Sequence, residues 1–476
     1  MNICGQVVGR QAPGTISALW APVTLVALSV VGCSDPRPVV EGDLAFVGVN
    51  VLPMQGPDAP VVLENQTVIV TNRRVAAIKP ADEVNLGDDV VIVDAEGQYL
   101  MPGLADMHGH LPTSRLMPVD AKNLLFLYVA NGVTTVRGMQ GNPSHFRVRD
   151  QIARGETLGP RLFLGSASMT GSRVTTPELG EQLIREYHQA GYDLAKMHEG
   201  LTREVFDAVV AVASEVGIPF GGHVPDEVGL FHALEAGQIS IDHLDNYVEA
   251  LVPEGSQSEL QGLRGGVEDL LDVVDERRLP MLVEATRTAG AWVVPTMVLW
   301  ETAFFGDRAA AELRPLRPEL RYMPPEIIEQ WVRAVDERLA TSDPVTNRRV
   351  SRLRRTILKA LHDGGVRILL GTDSPQIFNV PGFSIHHEMA LWVELGMTPY
   401  QVLEAGTRRV AEYFHAVDDF GSVVVGHRAD FLLLTANPVA DIANVAERAG
   451  VMVNGRWIPE AQIQERLASI AQFYGN

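Results

Sequence analysis

The sequence predicts an α/β protein: a (β/α)8 TIM barrel with a small β-sandwich domain built from both ends of the chain. Three observations predict it. Short apolar runs recur, each closing on a polar or ionisable residue. Segments with apolar residues at three- and four-residue spacing lie between them, the pattern of amphipathic helices. A chain of 476 residues with 46% hydrophobic content can bury a barrel of about 250 residues and a second, smaller core.

The first barrel strand ends in His108-Gly109-His110, directly after Met101-Pro102-Gly103-Leu104-Ala105-Asp106. The second is Gly132-Val133-Thr134-Thr135-Val136-Arg137 and the third Arg161-Leu162-Phe163-Leu164-Gly165. The fourth, Tyr192 to His198, carries Lys196; the fifth, Pro219 to His223, and the sixth, Ile239 to His243, each end in histidine. Ala291 to Thr296 is the seventh and Ile368 to Ser374, with Asp373, the eighth. Helical patterns at Pro177–Ala190 and Thr202–Val216 close on Gly191 and Gly217, residues suited to the left-handed helix end. Polar ends of apolar strands are where a barrel of this kind holds its chemistry.

The sandwich is expected from residues 44–102 and 420–476, around a barrel at 103–419. Its strands include Thr67-Val68-Ile69-Val70, Val90-Val91-Ile92-Val93, Asp430-Phe431-Leu432-Leu433-Leu434 and Val451-Met452-Val453 before the Asn454-Gly455 turn. Two separate terminal flaps are the plainer alternative.

Alternate residues of a strand face the same side, so His108 and His110 can reach one metal ion together. With 13 histidines in the chain, such a pair alone is a weak signal. Its weight comes from the series that follows it: Lys196, His223, His243 and Asp373, each at a strand end. A lysine ammonium aimed at divalent cations would be repelled, so the site favours the neutral amine, which can capture carbon dioxide. A salt-bridged lysine at the barrel mouth is the other reading.

These motifs resemble the amidohydrolase superfamily, and within it the imidazolonepropionase-like group that includes Xaa-Pro and Xaa-Arg dipeptidases and N-acyl amino acid amidases. The resemblance runs from about Asp43 to Trp457. It rests on Val93-Asp94-Ala95-Glu96-Gly97 before Met-Pro-Gly-Leu, the Gly-Val-Thr-Thr-Val-Arg strand, Ile241-Asp242-His243, Gly371-Thr372-Asp373-Ser374, and Gly421-Ser422-Val423 with Gly426-His427-Arg428-Ala429-Asp430-Phe431. It implies two divalent metal ions, zinc being expected. His108, His110 and Asp373 would hold the more buried one, His223 and His243 the other, with Lys196 bridging them as its carbon dioxide carbamate. Asp373 would take the proton of a bridging hydroxide that attacks an amide carbonyl.

Three further residues are candidates for substrate contact. His198 lies two positions beyond Lys196 and so faces the same way. His386 opens the segment after strand eight, where a solvated helix start is an equal reading. Arg137 ends strand two and can meet a substrate carboxylate, or form an internal salt bridge to Asp106 or another acid.

Residues 1–33 read as a lipoprotein signal peptide. The apolar stretch Leu19–Val31 is too short to span a bilayer well and ends in Val30-Val31-Gly32-Cys33-Ser34, which resembles a bacterial lipobox. The expected consequence is an exported chain anchored to the membrane by lipid on Cys33, on the periplasmic face of the outer membrane in a Gram-negative cell, with residues 34–43 as linker. The two cysteines, Cys4 and Cys33, leave the rest of the chain without disulfide or cysteine ligand. The net charge of -20 argues against nucleic acid as a partner. Self-association into a homo-oligomer is left open.

The loop Ser166–Thr176 is short for the resembled group, while Leu251–Gly266 and Phe304–Met323 are insertions readable as lids or as packing helices. The sequence therefore predicts a hydrolase of amide or peptide-like carbon–nitrogen bonds in a small molecule, an N-acyl amino acid or dipeptide. Alternatives are a cyclic amide, lactone or other ester hydrolase with the same site, a single-metal deaminase, which Lys196 disfavours, and a non-catalytic lipid-anchored binding protein.

Overall fold

The computed structural model describes residues 39–56, 60–112, 119–253 and 266–475. The signal peptide, Cys33 and most of the expected linker lie outside them, as does most of the insertion Leu251–Gly266. Val39–Val40, inside the expected linker, pairs in parallel with Asn85–Leu86. No helix among the described residues is long and apolar enough to cross a membrane.

Eight parallel strands follow in chain order: Leu104–Gly109, Val133–Gly138, Arg161–Leu164, Ala195–Met197, Phe220–Gly222, Ser240–Asp242, Trp292–Val294 and Arg367–Ile368. The first three form one sheet and the last five another, each strand beside its sequence neighbour. One seam is crossed by the parallel bridge Gly165 to Leu194, the other by Gly109 to Ser374, without a continuous ladder at either. Every residue of the second strand is buried, as expected of a parallel strand covered on both faces. Helices Pro177–Ala190 and Arg203–Val216 show how the connections are punctuated. Thr176 and Thr202 accept from Leu179 N and Val205 N at the starts, and Gly191 and Gly217 end them at φ of 82° and 76°.

The two ends of the chain meet in one eight-stranded sheet. In it Phe431–Leu434 lies between Tyr99–Pro102 and Arg448–Val453, and Leu44–Val51 lies between Tyr99–Pro102 and Leu63–Thr71. Three hydrophobic clusters draw on this sheet, the smallest through Ala45 and Ile69. Phe431 and Leu433 join Phe46, Val68 and Leu100, whereas Leu432 and Leu434 join the large core of the parallel strands and their helices. The tail also carries a helix, Glu460–Phe473, whose buried Ile463, Leu467 and Ile470 pack into that larger core. Phe304–Met323 resolves into packed short helices, and the long helices Pro325–Thr341 and Pro344–Asp363 follow before the eighth strand.

Candidate metal centre

The C-terminal ends of the parallel strands converge on a cavity of about 480 Å³ whose lining includes His108, His110, Lys196, His198, His223, His243 and Asp373. All six expected ligands and one of the three substrate candidates thus face the same space. The tightest grouping is His108, His243 and Asp373, with one donor atom from each lying within 4.8 Å of the others. His108 Nε2 stands 3.7 Å from Asp373 Oδ1, His243 Nε2 3.7 Å from Asp373 Oδ2, and His110 Nε2 2.6 Å from Asp373 Oδ1. His223 adjoins the group, its ring centroid 4.5 Å from that of His243.

Each of three imidazoles is oriented from behind by its other nitrogen. His108 Nδ1 meets Asp242 Oδ2 at 2.7 Å, His223 Nδ1 meets Asp245 Oδ2 at 2.7 Å, and His243 Nδ1 meets Thr296 Oγ1 at 2.7 Å. With Nδ1 held this way, Nε2 is left for a metal, the usual partnership of metal-binding histidines. Burial, then the positive charge of Lys196, pulls the His223 pKa down to about 3, and burial followed by their cationic neighbours keeps His108 and His243 well below the ordinary imidazole value. Neutral imidazoles with free Nε2 atoms are ligands, not cations.

Two of the six expected ligands carry a buried polar atom with no hydrogen-bond partner among the described residues: Lys196 Nζ and His243 Nε2. An unsatisfied buried donor or acceptor costs about 1–3 kcal/mol, so these atoms are expected to have a ligand. Burial also lowers the Lys196 pKa, against the pull of Asp242 and Asp373, which favours the free amine. Gly222 makes room for this side chain: a Cβ there would lie 2.7 Å from Lys196 Cδ, and its φ of +117° is one that L residues rarely adopt. The donor set and its two orphaned atoms fit divalent metal ions with nitrogen and oxygen ligands.

Arg137 is not a substrate contact. It is buried beneath the cavity, where its NH2 donates to both Asp242 oxygens at 3.1 and 2.9 Å, its NH1 to Ser240 Oγ and Tyr413 Oη, and its Nε to Met107 O. The acid it pairs with is Asp242, not Asp106. Burial raises the Asp242 carboxyl, but Arg137 and Lys196 outweigh it and hold the group below its ordinary value. Asp106 instead accepts from His108 N, Thr372 N and Thr372 Oγ1, tying the first strand to the turn that carries Asp373. Burial pushes its pKa up to about 7.

His386 is likewise removed from the cavity, because its Nε2 meets Asn131 Oδ1, at the end of helix Ala121–Ala130 that leads into the second strand. Asn131 marks the opposite end of the strands from the histidines. His198 does line the cavity, its ring 4.3 Å from that of His223.

The sequence does not mark Asp242, Asp245 and Thr296, which orient the histidines, nor Leu299 and Trp300, which line the cavity with Met139, Gln140, Ser168, Glu199, Pro375 and Gln376; Phe304, at the start of an insertion readable as a lid, lines it too. Asp242 stood in plain view beside His243, but its partner His108 is 134 residues away. Three site residues that are not glycine adopt left-handed backbone: His243 at φ 63°, Thr296 at 46° and Asp373 at 59°. Such conformations cost energy and persist at functional sites where the surroundings impose them.

A model of the Amidohydrolase family matches residues 99–458. Among solved structures, the chain is similar to a bottromycin amidohydrolase, with 23% identity, a TM-score of 0.68 and 90% of each chain covered. It is similar to a Xaa-Pro dipeptidase with 18% identity, a TM-score of 0.62 and coverage of 87% of this chain and 99% of that one. Likenesses at these identities are likenesses of fold. Curated relatives include an adenine deaminase of Rubrobacter xylanophilus (strain DSM 9941 / JCM 11954 / NBRC 16129 / PRD-1), 24% identical over 426 residues, which are 84% of this chain and 56% of that protein. They also include an imidazolonepropionase of Anaeromyxobacter sp. (strain K), 26% identical over 404 residues, which are 80% of this chain and 86% of that one.

Proposed function

We propose that this chain, which belongs to the amidohydrolase family, hydrolyses amide or peptide-like carbon–nitrogen bonds of the N-acyl amino acid or dipeptide class. In this reading the eight parallel strands form one (β/α)8 barrel and the sheet from both chain ends a small sandwich beside it. Two divalent ions, zinc by donor chemistry, would be held by His108, His110, Lys196 as its carbamate, His223, His243 and Asp373. The observation that carries the reading is the convergence of His108, His243 and Asp373 donors within 4.8 Å, beside the unpartnered Lys196 Nζ.

A bound divalent ion supplies Lewis acidity and lowers the pKa of water to about 7. The chain does the rest. Asp242, Asp245 and Thr296 fix the imidazoles, so little reorganisation is needed on binding. Asp373, whose Oδ1 already meets the His110 imidazole, accepts the proton of the attacking water and returns it to the leaving amine. Trp300 and Phe304 add apolar surface to the lining of the cavity.

The adenine deaminase relatives favour a second reading, hydrolytic loss of ammonia from a cyclic amidine. The test is metal content by mass spectrometry for a chain starting at Ser34, produced with zinc and bicarbonate, followed by an amide panel and an ammonia assay with adenine. About two metals and amine release support the proposal. One metal with ammonia from adenine supports the deaminase, and no metal with no turnover supports a binding protein. Anchoring through Cys33 is part of the proposal; labelled fatty acid that does not enter the full chain, or enters a Cys33→Ala variant equally, would count against it.

A further inference from the structure

The segment after the seventh parallel strand presents two faces. Met297–Leu299 is one helical turn, and Trp300–Phe304 continues it as a wider π-type turn, a feature frequent at functional sites. Leu299, Trp300 and Phe304 line the cavity of the candidate metal centre. Glu301 and Thr302, between them in sequence, border a second cavity instead. The Trp300 ring lies 6.1 Å from the His243 ring and 4.6 Å from that of Phe304. An aromatic shelf therefore runs from a proposed metal ligand to the partly exposed Phe304. Trp300 Nε1 is buried with no hydrogen-bond partner among the described residues.

Consecutive arginines of the helix Pro344–Asp363 clamp consecutive residues of this turn. Arg354 lies 4.4 Å from the Trp300 ring centroid and donates to the backbone oxygen of His243. Arg355 grips Glu301 with two bonds of 2.6 and 2.5 Å. Glu388 fixes the start of the turn by accepting from Met297 N and Val298 N at 3.0 and 2.8 Å. Arg354 is only 4% exposed, and a buried guanidinium is costly unless something is gained from its geometry. Here one group touches both the shelf and the strained residue that offers Nε2 to the centre.

We infer that Trp300 and Phe304 are the specificity wall, selecting amides with an aromatic or bulky apolar group beside the scissile bond, with Arg354 as the positioning residue that keeps this wall in register with His243. The inference rests on the hydrolytic reading of the cavity. An apolar group lying on the shelf gains burial and ring contact, whereas an acetyl group leaves both rings wet.

The test uses the zinc-loaded full chain with matched amides differing in acyl group, acetyl against benzoyl, and calorimetric binding of acetamide and benzamide to loaded and metal-free protein. The expected result is a preference for the aromatic member of about tenfold, a factor set by the usual worth of ring contacts, in kcat/KM and in affinity. Trp300→Ala abolishes the preference chiefly through KM. Arg354→Met weakens it, and Arg354→Lys, which keeps a cation at the ring, restores part. An unchanged preference in Trp300→Ala, or none in the parent chain, overturns the wall, even if amides are hydrolysed. Trp300-dependent benzamide binding without hydrolysis of any amide upholds the wall and overturns the hydrolytic reading instead.

Discussion

Asp373 sits at φ 59° with its carboxylate between three imidazoles, so its geometry is imposed by its surroundings while the role proposed for it depends on accepting a proton. Asp373→Asn keeps the shape and removes that capacity. It is expected to lower kcat by about a thousandfold, the usual range for a lost general base being 10²–10⁴, with most of the metal retained; full turnover in the variant would remove Asp373 from the mechanism. Glu388 offers a separate titration. Burial pushes its pKa up to about 7 from 4.5, in spite of the Val298, Met297 and Trp392 N–H donors that favour the ionised form. A carboxyl raised in the folded state binds its proton more tightly folded than unfolded. Its stabilising contribution is therefore complete below about pH 4.5 and is lost as pH rises through about 7. Glu388→Gln has no such titration, so the stability of the parent relative to the variant should fall by about 3 kcal/mol between pH 4 and 8. Urea melts across that range measure it, and a difference independent of pH would refute the assignment.

At the scale of elements, the strands are legible as short apolar runs that close on polar residues, and period two tells which of those residues share a side. His108 and His110 face one cavity because they are alternate residues, and His198 joins it two positions after Lys196. What periodicity cannot supply is the partner of a side chain across the sheet. For Arg137 the sequence offers an internal salt bridge as one of two readings but does not identify its partner: Arg137, Asp242 and His108 form a chain linking the second, sixth and first strands. Arg137→Met should therefore act on the fold and the site together: Asp242 would be left buried without its guanidinium partner, keeping only the His108 contact, at a cost of up to about 3–5 kcal/mol by analogy with broken buried pairs. The fifth strand gives a complementary case. In Gly222→Ala a methyl group would be thrust toward Lys196 Cδ and the Met197 carbonyl oxygen at 2.7 and 2.8 Å on a backbone with φ of +117°. We expect metal content to drop by more than half with only a small loss of Tm, since two of the three nearest atoms, Cδ and Nζ, belong to the Lys196 side chain. Metal content equal to the parent's would show that Lys196 is not a ligand. The turn Trp300–Phe304 had no sequence signature, because its role comes from Arg354 and Arg355 on a helix some 50 residues later.

At the scale of the molecule, the sheet made from both chain ends decides how the parts unfold. The strand Phe431–Leu434 is buried at every position, and its alternation divides it between two cores. Phe431 and Leu433 pack with Phe46 and Leu100, while Leu432 and Leu434 pack with the core that also holds Val133 and Leu104. Its neighbour Tyr99–Pro102 runs, after Gly103, straight into the strand Leu104–Gly109, which carries His108 and leads to His110. Unfolding the sheet would thus strip apolar surface from the larger core and loosen the strand that carries two proposed ligands. Separation of the two cores would expose both faces of one strand, so we expect a single cooperative transition in calorimetry for the chain starting at Ser34. Metal that binds only the folded state stabilises by RT ln(1 + [L]/Kd), and if the cores are coupled that gain must reach both. Chelation is accordingly expected to move the whole transition to lower temperature without splitting it. Two transitions, with only one sensitive to chelator, would mean that Leu432 and Leu434 are not the mechanical link their burial implies, and that the sheet folds without the strands it adjoins.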